Sequence, residues 1–306
     1  MTGAITKRLL IVAGKGGVGR STVAASLAVG ATGRGLQAIV VETAGRADVA
    51  QMLGARAADP LAEVELDPGL YHVTIDRRAA LEEYLRFEVP GLLPAATLAR
   101  SAAFQAFVDA APGMSDLLTI GKVWELIQRP RHKPHTRQYD VVILDAPASG
   151  QLVGLLGAPR TFAAIARVGP VAKQAGTIER TLRDPRVVGV VAVATPEQMA
   201  VSETLALQTS LTERFGIELD VVVANRVLPS RFTSEDALTL SRGPEDPAVR
   251  SARWFAARGK AQRAQLARLR RGVTPARVTT LPFRFEAGLE RADVERFADL
   301  LGAGRW

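Results

Sequence analysis

The chain has 306 residues, with 39 lysines and arginines against 31 aspartates and glutamates, no cysteine and three histidines. Without cysteine there are no disulfides, thiolate metal sites or cysteine nucleophiles, and His72, His132 and His135 are too scattered to suggest a histidine-built metal centre. No eighteen-residue apolar run lacks a charge, and Met1–Arg8 leads into a strand-like run with no cleavage site behind it, so the expected location is the cytoplasm. The net charge of +8 would ordinarily suggest an anionic partner, but it is local. Nine basic residues and no acidic one fall between Arg250 and Arg277, and removing those nine from the 39 leaves 30 basic against 31 acidic.

In chain order, apolar runs of strand length stand at Arg8–Ala13, Leu36–Glu42, Leu70–Ile75, Tyr139–Asp145, Val187–Ala194, Ile217–Ala224 and Val278–Leu281. Their unbroken Val, Ile and Leu content suits strands buried on both faces, which predicts an α/β, doubly wound, mostly parallel sheet in one domain spanning 1–306. The segments 79–131 and 161–183 carry helical periodicity without strands and read as helical insertions forming a subdomain. Thr195-Pro196-Glu197-Gln198 reads as a helix start, with Thr195 as cap, Pro196 in the first helical position and Gln198 closing a capping box. The basic segment 246–272 reads as a helix interrupted at Gly259, with Trp254, Phe255, Leu266 and Leu269 available to pack. It is expected as a solvated helix outside the sheet; contact with an anionic membrane, an acidic tail or nucleic acid through 250–277 is the less favoured alternative, and its aromatics are sparse for a base-stacking platform.

The chemistry concentrates after the first strand. Leu9–Ala13 is followed by Gly14-Lys15-Gly16-Gly17-Val18-Gly19-Arg20-Ser21-Thr22 and then by the helical run Val23–Ala28. Strand, glycine loop and helix stand in the order a phosphate site needs: bare glycine amides can point at phosphate oxygens, and the helix start adds partial positive charge. Ser21 can offer a hydroxyl to magnesium, and Lys15 is a second cation for phosphate. The strand Tyr139–Asp145 ends in a carboxylate, the arrangement that holds a magnesium ion through water beside such a loop.

Lys15-Gly16-Gly17-Val18-Gly19 resembles the deviant Walker A loop of the MinD, ParA and ArsA class of P-loop ATPases. Asp145-Ala146-Pro147-Ala148-Ser149-Gly150-Gln151 and the following residues to Pro159 are similar to the switch II stretch of the arsenite-pump and guided-entry (tail-anchored protein targeting) branch, with Gly150 on the switch glycine. Pro112–Leu118 with Lys122–Glu125, and Pro196-Glu197 with Glu203-Thr204, resemble further motifs of that branch. Asn225 falls on its adenine-reading asparagine, and Leu281-Pro282-Phe283 on its adenine loop.

The resemblance implies a P-loop NTPase fold and an ArsA-like ATPase using ATP and Mg2+, with nucleotide contacts from Gly14 to Thr22, Gly150, Asn225, Pro282 and Phe283. It implies Ser21 and Asp145 on magnesium and Lys15 reaching the nucleotide of a dimer partner. It further implies a homodimer, or a heterodimer with a paralogue, that couples nucleotide state to a protein client. Leu92, Leu93, Leu98, Phe104, Phe107, Val108, Met114, Leu117, Leu118 and Ile120 read as core or as a groove for a hydrophobic client helix.

The pattern breaks at two catalytic positions. The family has lysine where this chain has Arg20, whose longer, forked guanidinium keeps the charge without the lysine's point contact. The water-positioning aspartate of switch I is replaced by Ala44, which cannot accept a proton, so Glu42 or Asp48 substitutes or hydrolysis is slow. Gln151 and Gly154 replace the family's histidine and arginine. Without cysteine there is neither the zinc clasp of the eukaryotic guided-entry enzymes nor a thiolate site for arsenite. The alternatives are a nucleotide-gated regulatory subunit or scaffold with no significant turnover, and a ParA- or MinD-like positioning ATPase. The switch II and Pro196-Glu197 matches weigh against the second.

Overall fold

The run Leu-Leu-Ile-Val-Ala-Gly has no polar side chain on either face, which fits only a strand covered on both sides. In the computed structural model, which describes residues 7–43, 47–56, 58–88, 101, 113–131, 136–166, 170–286 and 288–303, this is β1 (Leu9–Gly14), buried throughout. Seven further strands complete one sheet: β2 (Ala38–Thr43), β3 (Val64–Asp67), β4 (Leu70–Ile75), β5 (Val141–Asp145), β6 (Val188–Ala194), β7 (Val221–Val227) and β8 (Arg277–Pro282). Their order is β3-β4-β2-β5-β1-β6-β7-β8, parallel everywhere except between β3 and β4. β1 lies between β5 and β6 while the chain runs on to β2 beyond β5, so a crevice forms at the carboxyl end of β1, where ligands of doubly wound sheets bind.

The helices are α1 (Arg20–Thr32), α2 (Asp48–Met52), α3 (Arg77–Glu88), α4 (Met114–Leu126), α5 (Ser149–Ala166), α6 (Pro170–Leu182), α7 (Gln198–Phe215), α8 (Ser234–Arg242), α9 (Pro247–Gly272) and α10 (Arg291–Ala303). None of the described helices is long and apolar enough to cross a membrane. α3 and α4 fall within 79–131 apart from the start of α3, whereas the helical stretch read at 161–183 belongs to α5, which already begins at Ser149, and to α6. Of the residues considered for a client groove, Leu118 and Ile120 are buried in the core and Met114 packs against it, while Leu92, Leu93, Leu98, Phe104, Phe107 and Val108 lie outside the described residues.

Three local expectations are corrected. β3 was not expected; Val64-Glu65-Leu66-Asp67 is a short edge strand with alternating polar residues, and it turns into β4 through Gly69 at φ 78. α7 begins at Gln198 with an extended Glu197 as its N-cap, and no side chain caps it. The Thr195 hydroxyl lies 3.5 Å from the Glu197 carboxylate, whose other oxygen reaches Arg258 at 2.6 Å, so both side chains serve the loop and not the helix start. α9 runs unbroken for 26 residues through Gly259. Asp246 caps it through the amides of Ala248 and Val249, Pro247 occupies its first turn, and buried Leu266 and Leu269 anchor it, which offsets the roughly 1 kcal/mol that a glycine costs inside a helix.

α4 is fixed to the sheet by a buried charge cluster. Arg131 reaches Glu63 at 2.5 Å and Glu125 at 2.8 Å, Tyr139 donates to Glu63 at 2.7 Å, and Lys122 links Glu83 at 2.8 Å and Glu125 at 3.0 Å. Burial alone would push the Glu63 and Glu125 carboxyls up, but the hydrogen bonds and charge of Arg131, with Tyr139 on Glu63 and Lys122 on both, hold them below the ordinary glutamate value of 4.5. A depressed carboxyl contributes stability above its unfolded value that is lost as pH falls through the folded one, so the cluster should weaken below about pH 4.5. Arg131→Met, which leaves the largely buried Glu63 without its ion-pair partner and Glu125 with Lys122 alone, should lower stability by about 3–5 kcal/mol at pH 7 in urea unfolding, with a smaller loss at pH 4.

Candidate phosphate-binding site

The loop after β1 is shaped by what cannot fit beside it. At Gly14 a Cβ would stand 2.3 Å from the Val193 carbonyl of the neighbouring strand, and at Gly19, in the left-handed region at φ 95, 2.3 Å from the Asn225 side-chain nitrogen. Gly19 is the N-cap of α1, and no side chain closes the helix start. The first-turn amides are therefore available to an anion in the field of the helix. At Gly16 and Gly17 nothing lies within 4 Å of where a Cβ would be, so the crown of the loop faces open space. From the opposite side buried Asn225, at the end of β7, donates to the Val18 carbonyl at 2.9 Å, while its own carbonyl accepts from the Arg226 amide at 2.9 Å. Asn225, expected on adenine, thus also holds the loop's shape.

Ser21, in the first turn of α1, donates to Asp145 at the end of β5 at 2.7 Å. A hydroxyl and a carboxylate in contact are hard oxygen donors of the kind magnesium takes beside phosphate oxygens, with most of its shell left to water and ligand. The donor set fits that ion, and among the described residues no cluster of three or more His, Asp or Glu offers an all-protein site. Arg20 crosses from α1 to the Ala146 carbonyl at 2.6 Å, directly after Asp145, and so ties the glycine loop to the segment that becomes α5. Gly150 sits in the first turn of α5, exposed and with open space around it.

The other expected residues divide. Lys15 pairs with Glu203 of α7 at 3.1 Å, both partly exposed. Val18 is buried, and Thr22 is buried with its hydroxyl 3.8 Å from the Met52 sulfur, so its side chain points into the packing of α1 on α2. Glu42 lies beside Asp145 in the register of β2 and β5 and is fully buried. Its oxygens accept from the amides of Asp48 at 2.9 Å and Val49 at 3.1 Å and pair with the His72 ring at 2.8 Å. Asp48 is exposed at the start of α2, and Ala44 and Pro112 lie outside the described residues. Pro282 pairs with Val227 at the end of β8, and the Phe283 amide donates to the Val227 carbonyl at 2.9 Å.

A cavity of about 500 Å³ opens on the crown of the loop, lined by Lys15, Gly16 and Gly17 together with Thr195, Phe283 and Phe285. Arg226, Trp254 and Phe255 also line it and were not among the expected site residues. Arg226 stands at a bulge in β7 with φ 60, a conformation rare outside glycine that directs an exposed cation to the cavity; nothing in its sequence context marks it beyond following Asn225. Trp254 and Phe255 belong to α9, which is largely exposed as expected, so the first half of this basic helix is also a wall of the cavity.

The profile of the anion-transporting ATPase family matches residues 7–169 and 163–301, spanning the loop, the Asp145 strand, Asn225 and Phe283. The chain belongs to the anion-transporting ATPase (ArsA) family. It is 28% identical over 243 residues to the ATPase BagA of Mycobacterium tuberculosis, covering 78% of this chain and 71% of that protein. It is 24% identical over 251 residues to an arsenical pump-driving ATPase of Acidiphilium multivorum, covering 75% of this chain but 41% of that longer protein.

Glu42 makes a specific structural prediction. Glu42→Ala would strand two backbone amides and the His72 ring in a buried site, and should lower stability by about 2–4 kcal/mol in urea unfolding. Wild-type stability in that variant would mean that α2 is held by something else.

Proposed function

We propose that this chain is an ATP-binding, slowly hydrolysing, dimeric ATPase that couples nucleotide state to the binding of a protein client. The observation that carries the reading is the contact of Ser21 with Asp145 at the foot of a glycine loop whose amides have no side-chain cap. In this reading the triphosphate lies on the amides from Gly16 to Thr22, and Ser21 with Asp145, the latter through water, holds a magnesium ion that neutralises charge on the phosphates. Asn225, Pro282 and Phe283 take the adenine. Lys15 exchanges Glu203 for the phosphates bound in a second protomer, and Gly150 relays the γ-phosphate to α5 and the helical layer, where a hydrophobic helix of a client would dock.

Two features support low turnover. Arg20 spends a guanidinium nitrogen on the Ala146 carbonyl, which suits tethering of the loop to the switch segment more than transition-state contact. Glu42, with its carboxylate engaged by two amides and His72, is proposed to position α2 and not to take a proton from water. That engagement of Glu42 also favours the second reading, a nucleotide-gated regulatory subunit paired with an intact paralogue. Cytoplasmic action accords with either.

Steady-state phosphate release by wild type, Arg20→Lys, Ala44→Asp and the double variant tests these points. Wild type should bind magnesium-ATP and turn over slowly, and the double variant should be at least about tenfold faster, the scale of a restored water-positioning carboxylate. Equal rates in all four would refute the assignment of Arg20 and Ala44 as the limiting positions. Separately, Arg263→Gln with Arg270→Gln should leave nucleotide affinity within about twofold in calorimetry, because neither side chain lines the cavity.

A further inference from the structure

α9 presents Trp254, Arg258 and Gln262 at four-residue spacing, so the three stand one above another on a single face, and all three line the cavity. Gln262 is buried; it accepts from the Leu228 amide at 2.8 Å and donates to the Arg226 carbonyl at 3.2 Å, which fixes the helix to the exit of β7. One turn back, Arg258 pairs with Glu197 at 2.6 Å in the loop between β6 and α7. One further turn back stands Trp254, with 61% of its surface exposed. The Arg258 guanidinium lies 5.6 Å from the centroid of the indole, so a cation held by a carboxylate sets the ring's place.

The neighbouring aromatic is engaged elsewhere. Phe255 packs against Phe232 at 6.0 Å and Phe285 at 6.3 Å, with Arg231 over its ring at 5.5 Å. Trp254 is different: a large flat apolar surface, placed by two successive anchors, in a cavity that the loop crown of Lys15, Gly16 and Gly17 also lines. A planar heteroaromatic ring joined to phosphates is the ligand that would use both ends, since stacking needs only a π-face and so recognises any base without hydrogen bonds.

Resting on the nucleotide reading above, we propose that Trp254 is the stacking wall for the nucleobase, and that Arg258 and Glu197 are the positioning pair that presents its indole. The assignment gives the head of the basic helix a role in nucleotide selection, additional to the strand-end asparagine and the loop at Phe283.

The test separates base from phosphate. Magnesium-ATP and magnesium tripolyphosphate are titrated calorimetrically into wild type, Trp254→Ala and Trp254→Phe, with tryptophan emission followed in parallel. Trp254→Ala should bind ATP about tenfold more weakly, the scale of one lost stacking contact, and Trp254→Phe should stay within about threefold of wild type. All three should bind tripolyphosphate alike. ATP, but not tripolyphosphate, should quench wild-type emission, and the quench should vanish in Trp254→Phe. Arg258→Ala should reduce the quench and weaken ATP alone, with partial recovery in Arg258→Lys.

Unchanged ATP affinity in Trp254→Ala with an unaltered quench in Trp254→Phe would overturn the proposal, as would equal losses for ATP and tripolyphosphate, which mark a structural wall. Wild type that binds ATP no better than tripolyphosphate would overturn the base contact and leave the phosphate loop standing. Wild type that binds neither would overturn the nucleotide reading itself. Should Trp254→Ala fail to fold, the quench and affinities of Trp254→Phe decide: a persisting quench rejects the stacking wall.

Discussion

The loop between β1 and α1 is held in a shape that no side chain at Gly14 or Gly19 would allow, and the clamp that holds it is the buried amide of Asn225 on the Val18 carbonyl. A backbone carbonyl tied down from one side turns the amide of its own trans peptide, that of Gly19, the other way, and α1 adds its first-turn amides and partial charge beside it. Around that fixed concavity the remaining contacts fall into place. Ser21 meets Asp145 across the β1–β5 boundary, Arg20 holds the carbonyl that follows, and Lys15 leans on Glu203 from α7. Three strands thus send their ends to one point, and the loop's rigidity makes the point specific.

Much of this was legible because it is written locally. A glycine loop between an apolar run and a helical run is a contiguous signal, and so is a strand ending in Asp145; the pairing of Ser21 with Asp145 follows from strand adjacency in a doubly wound sheet. All seven apolar runs are strands; in six of them burial on both faces leaves no alternation to misread, and the seventh, β8, is a largely exposed edge strand paired to β7. β3 escaped because an edge strand of four residues carries polar side chains and is defined by its partner, not by its own composition.

The parts that were not legible depend on distant contacts. Nothing near Glu42 indicates that its carboxylate caps the start of α2 and meets His72 on β4, since the three belong to separate segments brought together by register. The role of α9 was hidden in the same way. Its arginines dominated the composition, yet two of them act through fixed partners, Arg253 on the Leu240 and Gly243 carbonyls and Arg258 on Glu197, and of its arginines only Arg258 joins Trp254, Phe255 and Gln262 in lining the cavity. Net charge marked the helix, and the fold assigned its two halves: an inner wall at the amino end and an exposed, arginine-bearing carboxyl end at Arg270 and Arg271, where cations also complement the helix dipole.

The central claim is that the crevice at the head of β1 is a magnesium-nucleotide site built on this clamped loop. A crystal structure of the chain grown with magnesium and a non-hydrolysable ATP analogue tests it most directly. The account predicts phosphates on the amides of residues 16 to 22, an octahedral ion touching Ser21 with Asp145 behind a water, and the Asn225 contact to Val18 kept. Phosphates bound away from the loop, or an ion that engages neither Ser21 nor Asp145, would contradict it.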